Sequence, residues 1–418
     1  MTTERITLEP EQESAVKLIC ETGGCGVITG APGSGKSTLC RVAVERLHAR
    51  AMSFELCAPT GKAARRLTEA TGRPARTIHR MLAYRPGAGF QFNELQELPT
   101  KVVITDESSM VDTWLARSLL DAVNPAITSI FFIGDVNQLP PVGPGAFFRD
   151  LIESGVVPVV RLKTVKRAAA ASWVYRNAPK ILMGGPVELD DIADFQFYEL
   201  ENTDPAQIAP AVHRAVADLQ GGGIALDDIQ VLTPMNDRPG GTSELNRFLQ
   251  DRMNPRPPTE DAFQVYEHTM RIEDRVIQTK NNYDLGVFNG EVGKVAAINL
   301  RRPKTGPWLG PNIVVRFPDT PEDKLVSYNP NQATQLRLAY ATSIHRFQGS
   351  EVAAAVVVCH PTHSFMLTRQ LLYTAVTRAK KRVCIVGTNK GIEQALRTTR
   401  DASRRTNLVE LLKNGAVK

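Results

Sequence analysis

Short apolar runs alternate with amphipathic stretches through the first 165 residues of this chain. Residues 26–29, 53–58, 102–105, 129–133 and 159–162 read as strands, each bounded by turn formers or by the start of a helical pattern. Strands this apolar are buried on both faces, so the alternation predicts a mostly parallel sheet with helices on either side. Residues 84–93, Tyr-Arg-Pro-Gly-Ala-Gly-Phe-Gln-Phe-Asn, interrupt it with turn residues between strand-prone ends, which predicts a β-hairpin leaving the sheet. After Gly184-Gly185-Pro186 the pattern restarts. Residues 229–234, 353–359 and 382–387 read as buried strands, with helices around 243–252 and 368–379, giving a second α/β sheet. Between Glu291 and Val326 the texture changes to short β-like pieces joined by Arg301-Arg-Pro-Lys-Thr-Gly-Pro307. This predicts a small antiparallel barrel inserted into the second sheet domain. The charged tail after Thr398 reads as a helix.

The chemistry begins at Gly30-Ala31-Pro32-Gly33-Ser34-Gly35-Lys36-Ser37, set between the apolar Val27-Ile28-Thr29 and a helical stretch from Thr38. Strand, loop and helix in this order form a phosphate-binding loop. Its glycines let the backbone turn tightly and aim N–H groups at phosphate oxygens, and the helix N-terminus favours the same anion. Lys36 then reaches the β- and γ-phosphates and the Ser37 hydroxyl ligates Mg²⁺. A second strand ends in Asp106-Glu107. Asp106 can hold the Mg²⁺ shell, while Glu107 orients and deprotonates an attacking water. A third ends in Gly134-Asp135 and runs through Gln138 into Pro140-Pro141. Gln138 can sense the γ-phosphate there; it can equally be a turn residue held by the prolines.

Composition adds bounds. A length of 418 residues suggests two to three domains. No apolar run is long enough to span a bilayer and the N-terminus lacks the apolar core of a signal peptide, so a cytoplasmic, nucleoid-associated protein is expected. The six cysteines are dispersed without C-x-x-C spacing, which favours buried reduced thiols over a zinc or disulfide framework. The net charge of +6 is compatible with a solvated surface, and in a nucleotide hydrolase also with a polyanionic partner.

Taken in order, the phosphate loop, Asp106-Glu-Ser-Ser-Met-Val-Asp112 and Gly134-Asp-Val-Asn-Gln-Leu-Pro-Pro-Val-Gly143 resemble motifs I, II and III of superfamily 1 helicases. The resemblance is to the RecD-like and Dda-like branch 1B, which moves 5′ to 3′. Leu8-Glu-Pro-Glu-Gln12 resembles the Q motif, in which Gln12 would read the adenine edge. Ala58-Pro59-Thr60-Gly61-Lys62 and Thr77-Ile78-His79 resemble motifs Ia and Ib, which line the single strand. Ala341-Thr-Ser343-Ile-His345-Arg-Phe-Gln-Gly349-Ser-Glu351 resembles motif V, and Tyr373-Thr-Ala-Val-Thr-Arg378-Ala379 motif VI. The segments around Thr233, Asn281 and Asn289 are similar to the same branch. Two positions depart from the pattern: Lys166-Arg167-Ala168 stands where Phe-Arg-Gln is usual, and Arg346 where lysine is.

The resemblance implies two RecA-like parallel-sheet domains with ATP and Mg²⁺ between them, an inserted β-hairpin (the pin) and an inserted SH3-like β-barrel. Its boundaries here are domain 1A over 1–165 with the pin at 83–99, domain 2A over 166–288 and 336–398, the barrel over 289–335 and a tail over 399–418. It places Gly30–Thr38 of the loop, Gln12, Gly349 and Glu351 on the nucleotide. Arg167 and Arg378 become candidates to reach the γ-phosphate from the second sheet domain, where an arginine from across a cleft contributes ~10³–10⁵ in rate; either can instead be a surface ion-pair partner. Thr60, His79, Thr233, Asn281, Ser343 and His345 suit phosphate and sugar contacts, and Pro59, Phe90 or Phe92 can stack on bases, although Phe92 suits a core equally well. The implied activity is an ATP-dependent DNA helicase, functional as a monomer on single-stranded and forked DNA, with single-stranded-DNA-binding, replication or recombination proteins as further partners. The alternatives are an RNA helicase of the related Upf1-like branch and a nucleotide-gated DNA-binding scaffold without turnover.

Overall fold

The computed structural model describes residues 7–164, 172–188, 194–255, 261–265, 268–282, 284–300, 310–318, 323–400, 404 and 406–415. By packing, the chain separates into two compact units. Unit 1 comprises 1–187, 368–377 and 399–418; unit 2 comprises 188–367 and 378–398.

Unit 1 is built on strands β1 (Cys25–Gly30), β2 (Phe54–Ala58), β3 (Ala75–Thr77), β4 (Tyr84–Arg85), β5 (Gly89–Phe90), β6 (Val102–Thr105), β7 (Ser129–Gly134) and β8 (Val159–Leu162). Six of them form one sheet in the order β3-β2-β6-β7-β1-β8, parallel at every pairing. Successive side chains of a strand face opposite ways, and both faces are apolar here. Ile28, Ile104 and Phe131 pack with Ala15, Val16, Leu39 and Leu47 of the helices Pro10–Glu21 and Lys36–Ala49. Their neighbours Val27, Val103, Ile130 and Phe132 pack with Leu119, Phe147 and Leu151 of the helices Thr113–Asp121 and Phe147–Ser154. The antiparallel pair β4–β5 is the expected hairpin, only two residues on each side. Strand β3 was not expected: Ala-Arg-Thr carries no apolar run, because it is a half-exposed edge strand.

Unit 2 contains β9 (Phe195–Glu199), β10 (Ile229–Thr233), β11 (Phe263–Val265), β12 (His268–Met270), β13 (Arg275–Gln278), β14 (Val292–Asn299), β15 (Asn312–Phe317), β16 (Lys324–Tyr328), β17 (Leu336–Leu338), β18 (Ala341–Ser343), β19 (Val352–Cys359) and β20 (Ala379–Gly387). A second parallel sheet runs β18-β10-β19-β20-β9. The inserted sheet runs β16-β15-β14-β13-β17, antiparallel throughout, around Val276, Val295, Val315 and Tyr328. It starts at Arg275, ahead of the change in sequence texture, because all four residues of β13 are buried and lack the alternation of a half-exposed strand. Asp274, fully buried, joins the two sheets of unit 2: it accepts from Tyr340 Oη at 2.9 Å, Asn254 Nδ2 at 2.8 Å and the Arg271 N–H at 2.7 Å.

The chain leaves unit 2 after Leu367, forms the helix Arg369–Val376 within unit 1, and returns at Arg378. That helix packs on the helix Trp173–Met183. The tail also belongs to unit 1, where Leu408–Lys413 is helical and packs on Phe147–Ser154. Five of the six cysteines are buried thiols and Cys25 is half-buried. No helix among the described residues is long and apolar enough to cross a membrane.

Candidate active site

The nucleotide motifs meet because β6, β7 and β1 are consecutive in the sheet of unit 1. Their carboxyl ends carry the acidic pair, the Gln138 loop and the phosphate loop side by side, the edge at which open α/β sheets bind ligands.

Between β1 and the helix Lys36–Ala49, Gly33 and Gly35 hold φ of +79° and +84°, values that side chains disfavour. A Cβ on Gly30 would lie 2.5 Å from Ser34 Oγ, and one on Gly33 2.8 Å from the Tyr175 ring, so only glycine permits this close approach. The first N–H groups of the helix have no intrahelical acceptor, and its positive dipole end faces the loop. Lys36 Nζ is held by the carbonyls of Gly30 at 2.7 Å and Ala31 at 3.2 Å. Ser37 is exposed, Pro32 and Thr38 are half-buried, and Ser34 Oγ is buried without a partner. Gln12 is buried, with both ends of its amide on backbone: Nε2 donates to Ser34 O at 2.9 Å and Oε1 accepts from the Glu9 N–H at 3.1 Å. In this conformation Gln12 braces the phosphate loop.

Asp106 and Glu107 follow β6 into the short helical turn Ser108–Met110. Asp106 Oδ1 accepts the Glu107 N–H at 2.8 Å. Burial first, and the Glu107 charge second, push the Asp106 carboxyl up to about 6 against the pull of that N–H, Lys36 and Arg66. A divalent cation would supply the missing positive charge and favour the ionised form. Glu107 sits at φ +50°, ψ +40°, a left-handed conformation that costs a side-chain-bearing residue ~1–2 kcal/mol. Strain of this kind gathers at functional sites.

β7 touches that turn at backbone level. A Cβ on Gly134 would lie 3.1 Å from Ser109 N and 3.2 Å from Ser108 N. Asp135 next to it is buried and accepts three donors: Asn137 N–H at 3.0 Å, Gln138 Nε2 at 3.4 Å and Tyr373 Oη at 2.7 Å. Gln138 is also buried, and its Oε1 has no partner. A glycine-lined anion cradle, buried hydroxyl and amide oxygens without partners, and a carboxylate that burial disfavours together fit a Mg²⁺–triphosphate. Ser37 and Asp106 would hold the cation, which usually takes few protein ligands beside phosphate and water. The metal would offset charge developing on the phosphates.

Within each unit, two of the candidate strand-binding segments lie at adjacent strand ends. Ala58 pairs with Thr77, which sets Pro59-Thr60 beside Thr77. Thr60 and Thr77 cap helices, each accepting at 3.2 Å, from the N–H of Ala63 and of Arg80; Gly61 and Lys62 open the first of these helices. The His79 ring lies 5.5 Å from those of both Tyr84 and Phe90, and burial lowers its pKa. Phe90 and Phe92 are half-buried against the core, whereas Tyr84 is 41% exposed. In unit 2, Thr233 pairs with Ser343. Thr233 is fully buried and its hydroxyl donates to Gly240 O at 2.8 Å, a structural use that removes it from the ligand-facing set. Ser343 and His345 are half-buried. Asn281 and Asn289 are exposed and tied across the turn joining β13 and β14 by the Asn289 N–H to Asn281 Oδ1, at 3.0 Å. Gly349 is buried at φ +69°, and Glu351 pairs with Lys380 at 3.1 Å. Arg378 is buried and donates from Nη1 to Ser350 O at 3.2 Å. Arg167, with Lys166 and Ala168, lies outside the described residues.

Sequence reasoning passed over Tyr175, Tyr84 and the hydroxyls of Tyr373 and Thr374. Tyr373 meets an acceptor 238 positions away, a relation that local pattern does not encode.

Comparison with known proteins agrees with this geometry. A family model described as an AAA domain matches residues 7–199, an ATP-dependent RecD-like DNA helicase SH3 domain matches 245–317, and a UvrD-like helicase C-terminal domain matches 338–386. An RecBCD enzyme subunit RecD of Mycobacterium tuberculosis is 31% identical over 424 residues, covering 92% of this chain and 70% of that protein. The chain belongs to the RecD-like family of superfamily 1B helicases. The ATP-dependent RecD2 DNA helicase of Deinococcus radiodurans is 36% identical over 387 residues, 93% of this RecD-like chain and 50% of the Deinococcus protein. The chain thus spans about half the length of that relative. A Bacteroides Pif1 helicase, solved in complex with ADP-AlF3 and single-stranded DNA, shares the fold at a TM-score of 0.55 and 18% identity, over 98% of this chain and 97% of that one.

Proposed function

We propose that this RecD-like chain is an ATP-driven motor that moves 5′ to 3′ along single-stranded DNA and separates duplex ahead of it. The observation that carries the reading is the row of strand ends β6, β7 and β1, which assembles Asp106, Glu107, Gln138 and the phosphate loop on one edge in a chain of this family. Lys36 and the loop amides bind the β- and γ-phosphates, and Ser37 and Asp106 hold Mg²⁺. Glu107 takes the proton of the attacking water. Arg378 supplies positive charge from unit 2 when the two units close over the nucleotide, so that loss of the γ-phosphate releases the closure. Arg167, which falls in the range of unit 1, is the second candidate for that charge. In domain terms, unit 1 acts as 1A, with the hairpin inside 83–99 as the pin, the parallel sheet of unit 2 as 2A and the inserted sheet from β13 to β17 as the SH3-like 2B. This shifts the boundaries expected from the sequence, since 166–187 and 368–377 fall with unit 1 and the inserted sheet begins at Arg275. Residues 59–62, Thr77, His79, Asn281, Asn289, Ser343 and His345 guide the strand. Opening one duplex step costs about 1.4 kcal/mol on average, within reach of a small hairpin that holds a frayed pair apart. The active form is a monomer in the cytoplasm, associated with the nucleoid.

The test is unwinding of matched DNA substrates with a 5′ overhang, a 3′ overhang or none, with ATP, beside a matched RNA strand as competitor. Unwinding from the 5′ overhang alone, and ATP hydrolysis stimulated by single-stranded DNA, is the expected result. Hydrolysis indifferent to nucleic acid would defeat the proposal, and preference for the RNA strand would move it to the Upf1-like branch.

A further inference from the structure

The helix Arg369–Val376 is flanked in sequence by segments of unit 2, yet it packs in unit 1 and grips the loop that carries Gln138. It does so twice. Tyr373 Oη donates to Asp135 Oδ2 at 2.7 Å, and Thr374 Oγ1 accepts the Leu139 N–H at 2.9 Å. These two holds bracket Gln138 in the sequence. Tyr373, Thr374, Asp135 and Gln138 are all buried, so water does not compete for the bonds.

The chemistry of the network decides which way the Gln138 amide faces. A carboxylate can only accept hydrogen bonds, so the end of the amide toward Asp135 is the NH₂, as the 3.4 Å contact of Nε2 with Oδ2 has it. Oε1 is therefore turned away, buried and without a partner. An amide oxygen cannot donate to a phosphate, whose oxygens are themselves acceptors. Its partner must be a donor, and at this strand end the reaction supplies one, the attacking water. From these relations we infer that Tyr373 is a positioning residue for ATP hydrolysis: by anchoring Asp135 it holds Gln138 so that Oε1 accepts a hydrogen bond from that water. The water oxygen then bonds to the γ-phosphorus, the β–γ bridging oxygen leaves with ADP, and the water proton passes to Glu107. This deepens the helicase reading and rests on it. It also gives the helix a mechanical meaning, since Arg378 follows it after one residue.

The experiment is a double-mutant cycle on the full 418-residue chain, measuring single-stranded-DNA-stimulated ATP hydrolysis for wild type, Tyr373→Phe, Gln138→Ala and the double variant. Tyr373→Phe removes one hydroxyl and should lower kcat about tenfold, the scale seen when a supporting partner of a functional group is lost, with KM for ATP unchanged. In the double variant kcat should be no lower than in Gln138→Ala alone, because the hydroxyl acts through the amide. A general packing defect would instead multiply the two losses, and multiplied losses or a wild-type kcat in Tyr373→Phe overturn the inference. Should Tyr373→Phe fail to fold, Thr374→Val removes the other hold on the loop and runs the same cycle with the same criteria. A wild-type chain that does not hydrolyse ATP in the presence of single-stranded DNA overturns the helicase reading itself, before any variant is compared.

Discussion

Asp106 accepts the backbone N–H of Glu107 at 2.8 Å, and the two carboxylates stand at the end of one buried strand. Burial and like charge raise the Asp106 pKa from its ordinary 3.8 to about 6. For an acid raised in the folded state, stability falls as pH rises from 3.8 through 6 and the proton is lost, so at pH 7 the ionised carboxylate weakens the fold. Asp106→Asn should therefore melt above wild type at pH 7 without Mg²⁺, while losing Mg²⁺-dependent ATP hydrolysis. Thermal melts at pH 7 and pH 4 check it; the gain should be absent at pH 4.

Glu107 combines chemistry with strain. Glu107→Gln should bind ATP but lose hydrolysis by ~10²–10⁴-fold, the range for a general base. The left-handed φ makes a second prediction independent of activity. Glu107→Gly should be more stable than Glu107→Ala by about 1 kcal/mol, reversing the usual order of these residues, and urea midpoints of the two variants decide it.

Gly134 has no room for a methyl group. Gly134→Ala places a Cβ against the backbone of Ser108 and Ser109 and the Phe148 ring. Overpacking of this kind costs about 1–3 kcal/mol, and it displaces the turn that begins at Glu107. Both the melting temperature and kcat should fall. A variant with unchanged kcat would separate the acidic turn from β7.

His363 is buried, and its imidazole is pushed down from 6.5 to about 4 mainly by burial, with help from His360 and opposed by the bond to Pro239 O. Between these values the unfolded chain binds a proton that the folded chain does not. Stability is then full above pH 6.5 and declines as pH falls toward 4, by about 3 kcal/mol in all. Urea unfolding from pH 7 to 4.5 should show a smaller drop in His363→Gln, which cannot take that proton.

The hairpin aromatics divide by burial. Phe92→Ala and Phe90→Ala remove rings packed against the core of unit 1 and should lower the melting temperature. Tyr84→Ala removes a 41%-exposed ring and should leave the melting temperature within a degree or two, while weakening single-stranded-DNA binding in a fluorescence titration. Equal thermal losses in all three would place Tyr84 in the core as well.

Legibility in the sequence followed burial. Strand β6 is legible with the bounds it has in the structure, because a strand buried on both faces is an uninterrupted apolar run. Strand β8, an edge strand with Arg161 exposed, is legible from its apolar Val159, Val160 and Leu162. Edge strands β3 and β9 escaped, since one side of each faces solvent and the run is broken by polar residues. Thr233 shows the opposite error: a short hydroxyl at a strand end reads as a ligand for phosphate, but packing buries it on Gly240 O. Gln12, read through its motif, is likewise tied to the phosphate loop by both ends of its amide.

The amino-acid sequence alone determined the class of this protein: the glycine-rich phosphate loop, the acidic pair and the Gln138 loop, each at the end of an apolar run, because local backbone geometry and local chemistry are written in consecutive residues. Tertiary structure alone decided which of those groups act on each other. That Tyr373 holds Asp135, that Gly134 abuts the Ser108–Ser109 backbone, and that the helix between β19 and β20 packs in unit 1 are consequences of strand order and burial. Such relations join residues far apart in the chain through space, and no periodicity or spacing records them.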